Sequence, residues 1–183
     1  RHTRCLSDWS SDVCSSDLSN AWNTTNATNF SYTGTSNVRI GNGSLNSIVA
    51  HTTGGTASNA LNFTVIGGST ITITTASVLN SLVFSGYPGT FSPASYTLYG
   101  NLTLIAGMSY TTGSGTYTFA ATSGTQTITS AGKTLYSISV GTTGTTTSTA
   151  TVSLADALTA AGNLTFYSGT FSTNNNTVTL TNT

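Results

Sequence analysis

Strand-sized segments in which apolar and hydroxyl residues alternate recur along this chain. Typical examples are "STITITT" at 69–75, "GTQTITS" at 124–130 and "NTVTLTN" at 176–182, each next to Gly, Asn or Ser. Alternation with a period of two is typical of a strand with one apolar face. A helical period occurs only in "LADALTAAG" at 154–162, and its neighbours match strand segments elsewhere. The pattern predicts an all-β chain of many short strands.

Some of these segments also repeat one another. "LNSIV" at Leu45–Val49 returns as "LNSLVFSG" at Leu79–Gly86 and, more loosely, as "LYSISVG" at Leu135–Gly141, while 99–119 returns as 161–180. Repetition of units too small to bury a core singly is typical of stacked architectures. The repeats therefore predict a parallel β-solenoid (β-helix). A β-sandwich is the alternative, because short strands between turn signals also fit that fold and the repeats are unequally spaced.

The near absence of charge agrees with stacking. Charged residues make up 4% of the chain and the formal net charge is zero, whereas about 25% is typical of soluble domains. Successive coils of a solenoid place equivalent residues about 4.8 Å apart, where like charges would repel and Thr or Asn would form ladders. A chain without a basic stripe is not expected to bind nucleic acid, and no apolar run approaches the length needed for membrane insertion.

The first 18 residues differ from everything after them. They hold both cysteines, three of the four acidic residues and two of the four basic ones. Read back into codons, "DWSSDVCSSDL" at Asp8–Leu18 resembles one reading frame of a common sequencing adapter. The resemblance implies that residues 1–18 are a non-native segment, which we expect to be disordered and exclude from the fold. Residues 19–183 are expected to form a single β-solenoid repeat region that is truncated at both ends.

The segment 124–182, which begins "GTQTITSAGKTLYSISVGTTG" and continues with "TVSLADALTAAGNLTFYSGTF", resembles the repeats of large bacterial surface and secreted adhesins. These include autotransporter passenger domains and haemagglutinin-type β-helices. The resemblance implies an elongated, extracellular or cell-surface protein with a structural or adhesive role and no catalysis. Its expected partners are surface glycans or receptors on host cells. Similar stretches occur in phage tail and fibre proteins, which provide an alternative.

Few groups remain that could carry out chemistry. After residue 18 the charged side chains are Arg39, Lys133 and Asp156, and His51 is the only imidazole. A glycosidase needs two carboxylates, and a catalytic triad or metal site needs partners that His51 lacks. We therefore expect no catalytic, cofactor-binding or metal site. Arg39 and Asp156 are interpreted as solvated surface charges, and Lys133 as an ammonium in water rather than part of an intramolecular isopeptide bond.

Two binding hypotheses remain open. Flat threonine arrays can order water, so "TITIT" at 70–74, "TQTIT" at 125–129 and "TVTLT" at 177–181 suggest ice binding, although their separations are unequal. Outward tyrosines on adjacent coils would form a strip for stacking against sugars, whereas a role in the core is the interpretation favoured for most of them. The seven candidates are Tyr87, Tyr96, Tyr99, Tyr110, Tyr117, Tyr136 and Tyr167.

Overall fold

The computed structural model describes residues 20–23, 37–40, 47–50, 60–67, 70–73 and 77–182, which contain nineteen β-strands and no helix. The strands are β1 (Asn20–Asn23), β2 (Asn37–Ile40), β3 (Ser47–Ala50), β4 (Leu61–Val65), β5 (Thr70–Ile73), β6 (Ser77–Phe84), β7 (Thr90–Ser92), β8 (Tyr96–Leu98), β9 (Leu102–Thr103), β10 (Ser109–Tyr110), β11 (Thr116–Phe119), β12 (Thr125–Thr129), β13 (Thr134–Leu135), β14 (Ser137–Val140), β15 (Thr151–Leu154), β16 (Leu158–Ala160), β17 (Leu164–Phe166), β18 (Thr170–Ser172) and β19 (Val178–Leu180). Residues 1–18 and His51 lie outside the described part.

All ladders among the described strands are parallel, and each coil of the chain visits three faces in turn. The first face contains β8, β11, β14 and β17, and the second contains β9, β12, β15 and β18. The third contains β1, β3, β5, β7 and β10, followed by β13, β16 and β19. The predicted parallel β-solenoid is therefore confirmed. The alternative, a β-sandwich, is wrong because sandwiches pair their strands antiparallel.

Strand β6 shows how one coil turns a corner. Its first residues, Ser77 to Leu79, pair with β8, and Leu82 and Val83 pair with β9. A single strand thus contributes to both the first and the second face, and it bends at Asn80 and Ser81. In every later coil the two faces are formed by separate strands.

The length of a coil varies while the register of its strands is kept. Leu82 pairs with Leu102, which is 20 residues further on, whereas Leu102 pairs with Ile128 after 26 residues. The extra residues lie in the connections between the first and second faces, which span 99–101, 120–124, 141–150 and 167–169. Turns absorb the difference in length. The unequal spacing of the sequence repeats is therefore compatible with regular stacking.

Inward side chains form continuous apolar columns along the axis. One column contains Leu61, Leu79, Leu98, Phe119 and Val140. Another contains Phe63, Leu82, Leu102, Ile128 and Leu154. Every member of both columns is at most 2% exposed. Burying one such side chain contributes about 1.5–3 kcal/mol, so the alternation seen in the sequence supplies the main driving force for stacking.

The two kinds of sequence repeat contact each other across neighbouring coils. Asn101 N–H donates a hydrogen bond to Ser81 Oγ at 3.0 Å, Gly100 N–H donates to Asn80 O, and Leu82 N–H donates to Asn101 O at 2.9 Å. A Cβ on Gly100 would lie 2.8 Å from Asn80 O, so this approach requires glycine. We call this contact the first corner lock. It lies between the first and second faces.

The same contact recurs with the second pair of repeats. Asn163 N–H donates to Ser137 Oγ at 3.0 Å, Gly162 N–H donates to Tyr136 O at 2.6 Å, and Ile138 N–H donates to Asn163 O at 2.8 Å. This second corner lock lies between the third and first faces, because Tyr136 separates β13 from β14. One sequence motif is therefore used at two different corners.

Candidate binding surfaces

The second face carries rows of outward hydroxyl groups. An outer row contains Thr125, Thr151 and Thr170, and an inner row contains Thr127, Ser153 and Ser172. Neighbours within a row are separated by the strand spacing, about 4.8 Å. We call these the hydroxyl rows. Because they carry no charge, they can bind a ligand only through hydrogen bonds and methyl contacts.

Asn174 covers part of the inner hydroxyl row. Its Nδ2 donates to Ser153 Oγ at 2.6 Å, and its Oδ1 accepts a hydrogen bond from Ser172 Oγ at 2.8 Å. The same amide donates to Leu154 O at 2.9 Å. The outer row retains two exposed members, Thr125 and Thr170. The face is therefore interrupted rather than uniformly flat.

The three threonine segments do not stack on one another. "TITIT" at 70–74 overlaps β5 on the third face, "TQTIT" at 125–129 is β12 on the second face, and "TVTLT" at 177–181 overlaps β19 on the third face. Each pairs instead with less regular strands. β12 pairs with β9 and β15, and β19 pairs with β16. No single plane is formed by the three segments in the part of the chain that is described.

A connection that the sequence analysis did not single out protrudes between the first and second faces. Residues 141–150, "GTTGTTTSTA", form the longest of the four connections at this corner, and we call them the threonine loop. Thr149 N–H donates to Thr122 O at 2.9 Å and Ser148 Oγ donates to Ala121 O at 3.2 Å. These bonds fix the base of the loop, while Thr146 and Thr147 are exposed. The signal in the sequence was the additional length between matching strands.

The tyrosines divide into core and surface residues. Tyr87, Tyr96 and Tyr117 are buried, so the predicted core role is confirmed for these three. Tyr136 and Tyr167 are 38% and 49% exposed. They lie at opposite ends of the first face, directly before β14 and directly after β17. A continuous outward strip of all seven tyrosines is therefore not formed.

Burial changes the titration of the core tyrosines. The Tyr96 and Tyr117 rings stack with centroids 5.4 Å apart, and the Tyr110 and Tyr117 hydroxyls lie 3.1 Å apart, within hydrogen-bonding distance. Desolvation raises the pKa of Tyr110 to about 12 and raises the pKa values of Tyr96 and Tyr117 well above their usual range. These phenols therefore stay protonated and belong to the core.

Lys133 is not a free ammonium in water. Its Nζ donates hydrogen bonds to Ala106 O at 2.9 Å and to Met108 O at 2.6 Å, both on the preceding coil. The ammonium thus connects two coils at the corner between the second and third faces. The interpretation of Lys133 as fully solvated is wrong, because the carbonyl groups of the adjacent turn come within reach of its long side chain.

Asp156 makes a comparable contact one coil further on. Its Oδ1 accepts a hydrogen bond from Ser130 N–H at 2.8 Å, and its Oδ2 accepts one from Ala131 N–H at 2.6 Å. The interpretation of Asp156 as a solvated surface charge is wrong as well. Because Lys133 and Asp156 bind backbone groups of different coils, these contacts do not form an isopeptide site. Arg39 is exposed, as expected.

Within the described ranges, no three His, Cys, Asp or Glu side chains lie close enough together to hold a metal ion. The same ranges contain no helix long and apolar enough to cross a membrane.

The comparisons with known proteins leave the fold and these surfaces as the basis for assigning a function. No family model matches the chain, and no match was found among curated proteins or among solved structures.

Proposed function

We propose that this chain is a structural and adhesive repeat segment of a secreted or cell-surface protein, with no catalytic activity. The observation that carries the proposal is the unbroken series of parallel ladders along the first face, from β6 through β8, β11 and β14 to β17. Each coil adds about 4.8 Å to the length of the stack. A protein of this kind is a rod whose length follows the number of its coils.

The corner contacts support the mechanical part of the proposal. Each corner lock adds a side-chain hydrogen bond to the backbone ladder, and Lys133 and Asp156 each add two more. A force along the axis must therefore break several hydrogen bonds at each step between coils. Such a rod can hold a binding domain away from a surface.

The adhesive part is assigned to the hydroxyl rows and the threonine loop. Both are uncharged and rich in exposed threonine, which suits hydrogen bonding to the hydroxyl groups of surface glycans. One such bond contributes only about 1 kcal/mol, so a useful affinity requires many contacts along the rod or many copies on one surface.

A multivalent binding assay tests the adhesive part. The full chain, displayed on beads, should be retained on glycan surfaces, and retention should change little between low and high salt because the contacts are uncharged. Shortening the threonine loop to the three residues found at 167–169 should weaken it. If beads carrying the intact chain are not retained on any glycan, the adhesive role is wrong.

Pulling the chain from its two ends tests the mechanical part independently. We expect resolved force peaks as coils detach, and lower peaks in a variant that lacks a corner lock, such as Ser137→Ala. If the chain extends without resolved peaks, a load-bearing rod is wrong. A phage tail or fibre segment would give the same force result, and its glycan binding would separate the two settings only through the surface recognised.

Ice binding is a second candidate, favoured by the outer hydroxyl row of Thr125, Thr151 and Thr170. The cover that Asn174 places on the inner row speaks for the adhesive role instead. Thermal hysteresis of the purified chain decides between them. A measurable gap that disappears in Thr151→Lys would establish ice binding, and no gap at high concentration would remove it.

A further inference from the structure

The last coil of the stack has an open side. In the described part of the chain, β17 pairs only with β14, β18 only with β15, and β19 only with β16. On each earlier coil, the corresponding side is covered by the next coil. The end formed by β17, β18 and β19 is called the terminal edge below.

The backbone of the terminal edge offers unused hydrogen-bonding groups. Tyr167 N–H donates back to Val140 O, and Thr181 N–H donates back to Ala160 O. Alternate residues of a parallel strand turn their N–H and C=O groups to opposite neighbours, so the residues between these bonds face the open side. They are Leu164, Phe166, Phe171, Val178 and Leu180.

The same residues also expose the end of the apolar core. Phe166 and Leu180 are 57% and 54% exposed, whereas their neighbours in the same columns, Val140 and Ala160, are at most 2% exposed. The Phe166 and Phe171 rings contact each other edge to face with centroids 5.6 Å apart. The terminal edge thus combines apolar side chains with free backbone groups, as the buried contact between any two coils does.

None of the usual protections of an exposed edge is present there. Natural sheets discourage pairing at their edges with lysine, proline or inward-pointing charges, and β17, β18 and β19 contain none of these residues. At the opposite end, β1 and β2 each pair with a single strand among the described residues, and the only charge that they carry is Arg39. No like-charge repulsion opposes contact between the two ends.

We propose that the terminal edge docks a second copy of this chain head to tail, so that the strands of the two copies pair in parallel and continue the columns. The contact repeats the one between successive coils, which supplies both the apolar burial and the hydrogen bonds. A head-to-tail contact between identical molecules does not close on itself. The assembly therefore grows into polar filaments, a property that is independent of any adhesive role.

Sedimentation velocity and electron microscopy of the full chain test this proposal. The mean mass should rise with concentration beyond that of a dimer, and filaments should have the width of one molecule. The double variant Phe166→Lys/Leu180→Lys places charges at the terminal edge and should raise the concentration needed for half assembly by about tenfold or more.

Tyr167→Lys is the matched control. Tyr167 is 49% exposed and directly follows Phe166, but its N–H is already bound to Val140, so it does not face the open side. It should assemble as the unchanged chain does. Equal weakening by the control and by the double variant would overturn the proposal.

A mixing experiment tests the polarity of the contact. The double variant keeps the opposite end intact, so it should add to the terminal edge of an unchanged copy and then stop further growth. A small fraction of the variant should therefore shorten the filaments. A chain that stays monomeric at all concentrations, a closed dimer, or filaments whose length ignores the variant would each contradict head-to-tail docking. Circular dichroism of both variants checks that the preceding coils remain folded.

Discussion

Two halves of the same stack are held together in different ways. Strands β6 to β11 enclose large aromatic side chains, whereas strands β12 to β19 enclose aliphatic ones and have polar contacts at the corners. The buried aromatic residues of the first half, called here the aromatic half, are Phe84, Tyr87, Phe91, Tyr96, Tyr117 and Phe119. The second half, called here the braced half, has no fully buried aromatic ring among its described residues.

The aromatic half is stabilised by ring contacts between coils. The Phe91 ring lies 4.7 Å from that of Phe84, 6.3 Å from that of Tyr96 and 6.0 Å from that of Tyr110, measured between centroids. Aromatic pairs in this range contribute about 0.5–1.5 kcal/mol each beyond the area that they bury. Phe91 therefore connects three neighbouring aromatic side chains at the centre of this half.

The braced half relies on side chains that reach the backbone of another coil. Gln126 is buried, and its Nε2 donates to Leu98 O and Gly100 O at 2.9 Å each. Lys133 and Asp156 make the contacts described above. The difference shows that a parallel ladder needs either a well-filled core or well-satisfied corners, and that the same backbone accepts both.

Removal of Phe91 should give the largest effect. We expect Phe91→Ala to lower the free energy of unfolding by about 3–5 kcal/mol, because a large cavity replaces a ring with three aromatic neighbours. Since stacked folds respond locally, hydrogen exchange should rise mainly in residues 84–117. Exchange that rises equally in 150–182 would show that the two halves are one cooperative unit.

Alkaline pH should act on the aromatic half next. Below pH 10 the core tyrosines are protonated in both the folded and the unfolded state. Above pH 10 the unfolded chain loses these protons, whereas burial keeps Tyr96, Tyr110 and Tyr117 protonated in the folded chain because their pKa values are raised. The linkage costs about 1.4 kcal/mol per tyrosine at pH 11, or about 3–4 kcal/mol in all.

Absorbance at 295 nm and circular dichroism measure this effect together. The tyrosinate signal of the three core residues should appear only as the β signal is lost. Ionisation of all the tyrosines while the β signal stays constant would show that these side chains are accessible in the folded chain.

The corner locks are shared by both halves and should contribute equally. Gly100→Ala in the first lock and Gly162→Ala in the second each force a Cβ against backbone and a serine hydroxyl of the preceding coil, and each should cost about 2 kcal/mol. Gly107→Ala is the control, because a Cβ there meets nothing within 4 Å. Urea midpoints compare the three. A much larger cost in one lock would indicate that its half depends on it more.

The strands and the stacking could be predicted from the sequence, because alternation and repetition are local signals. Leu79, Leu98 and Phe119 were placed in the core by their neighbours alone. The contact between the Leu-x-Ser and Gly-Asn-Leu repeats could not be predicted, since it joins residues 20 or 26 apart through turns of different length. Strand patterning also gives no means of identifying Gln126 as buried, because a polar residue within a strand normally indicates the outward face.

The roles of the two charges were missed for a related reason. Lys133 and Asp156 bind backbone carbonyl and amide groups, which every residue has, so their partners leave no trace in the sequence. The surfaces proposed for adhesion were predicted only in part. Outward threonines follow from alternation, but Asn174 and the threonine loop depend on how the turns fold.

Removal of the Asp156 carboxylate should have the smallest effect of the series and bears on the braced half alone. In Asp156→Asn, one carboxylate oxygen is replaced by an amide donor that faces the N–H of Ser130 or Ala131, so one of the two charge-assisted bonds is lost. The expected cost is about 1–2 kcal/mol. Hydrogen exchange should rise at 130–133 and leave 84–117 unchanged. Thr159→Asn, an outward position on β16 in the same coil, is the control and should be close to neutral. If Asp156→Asn proved as mild as the control, the braced half would have to be stable through its aliphatic core, and the contrast between the halves would reduce to the size of their side chains.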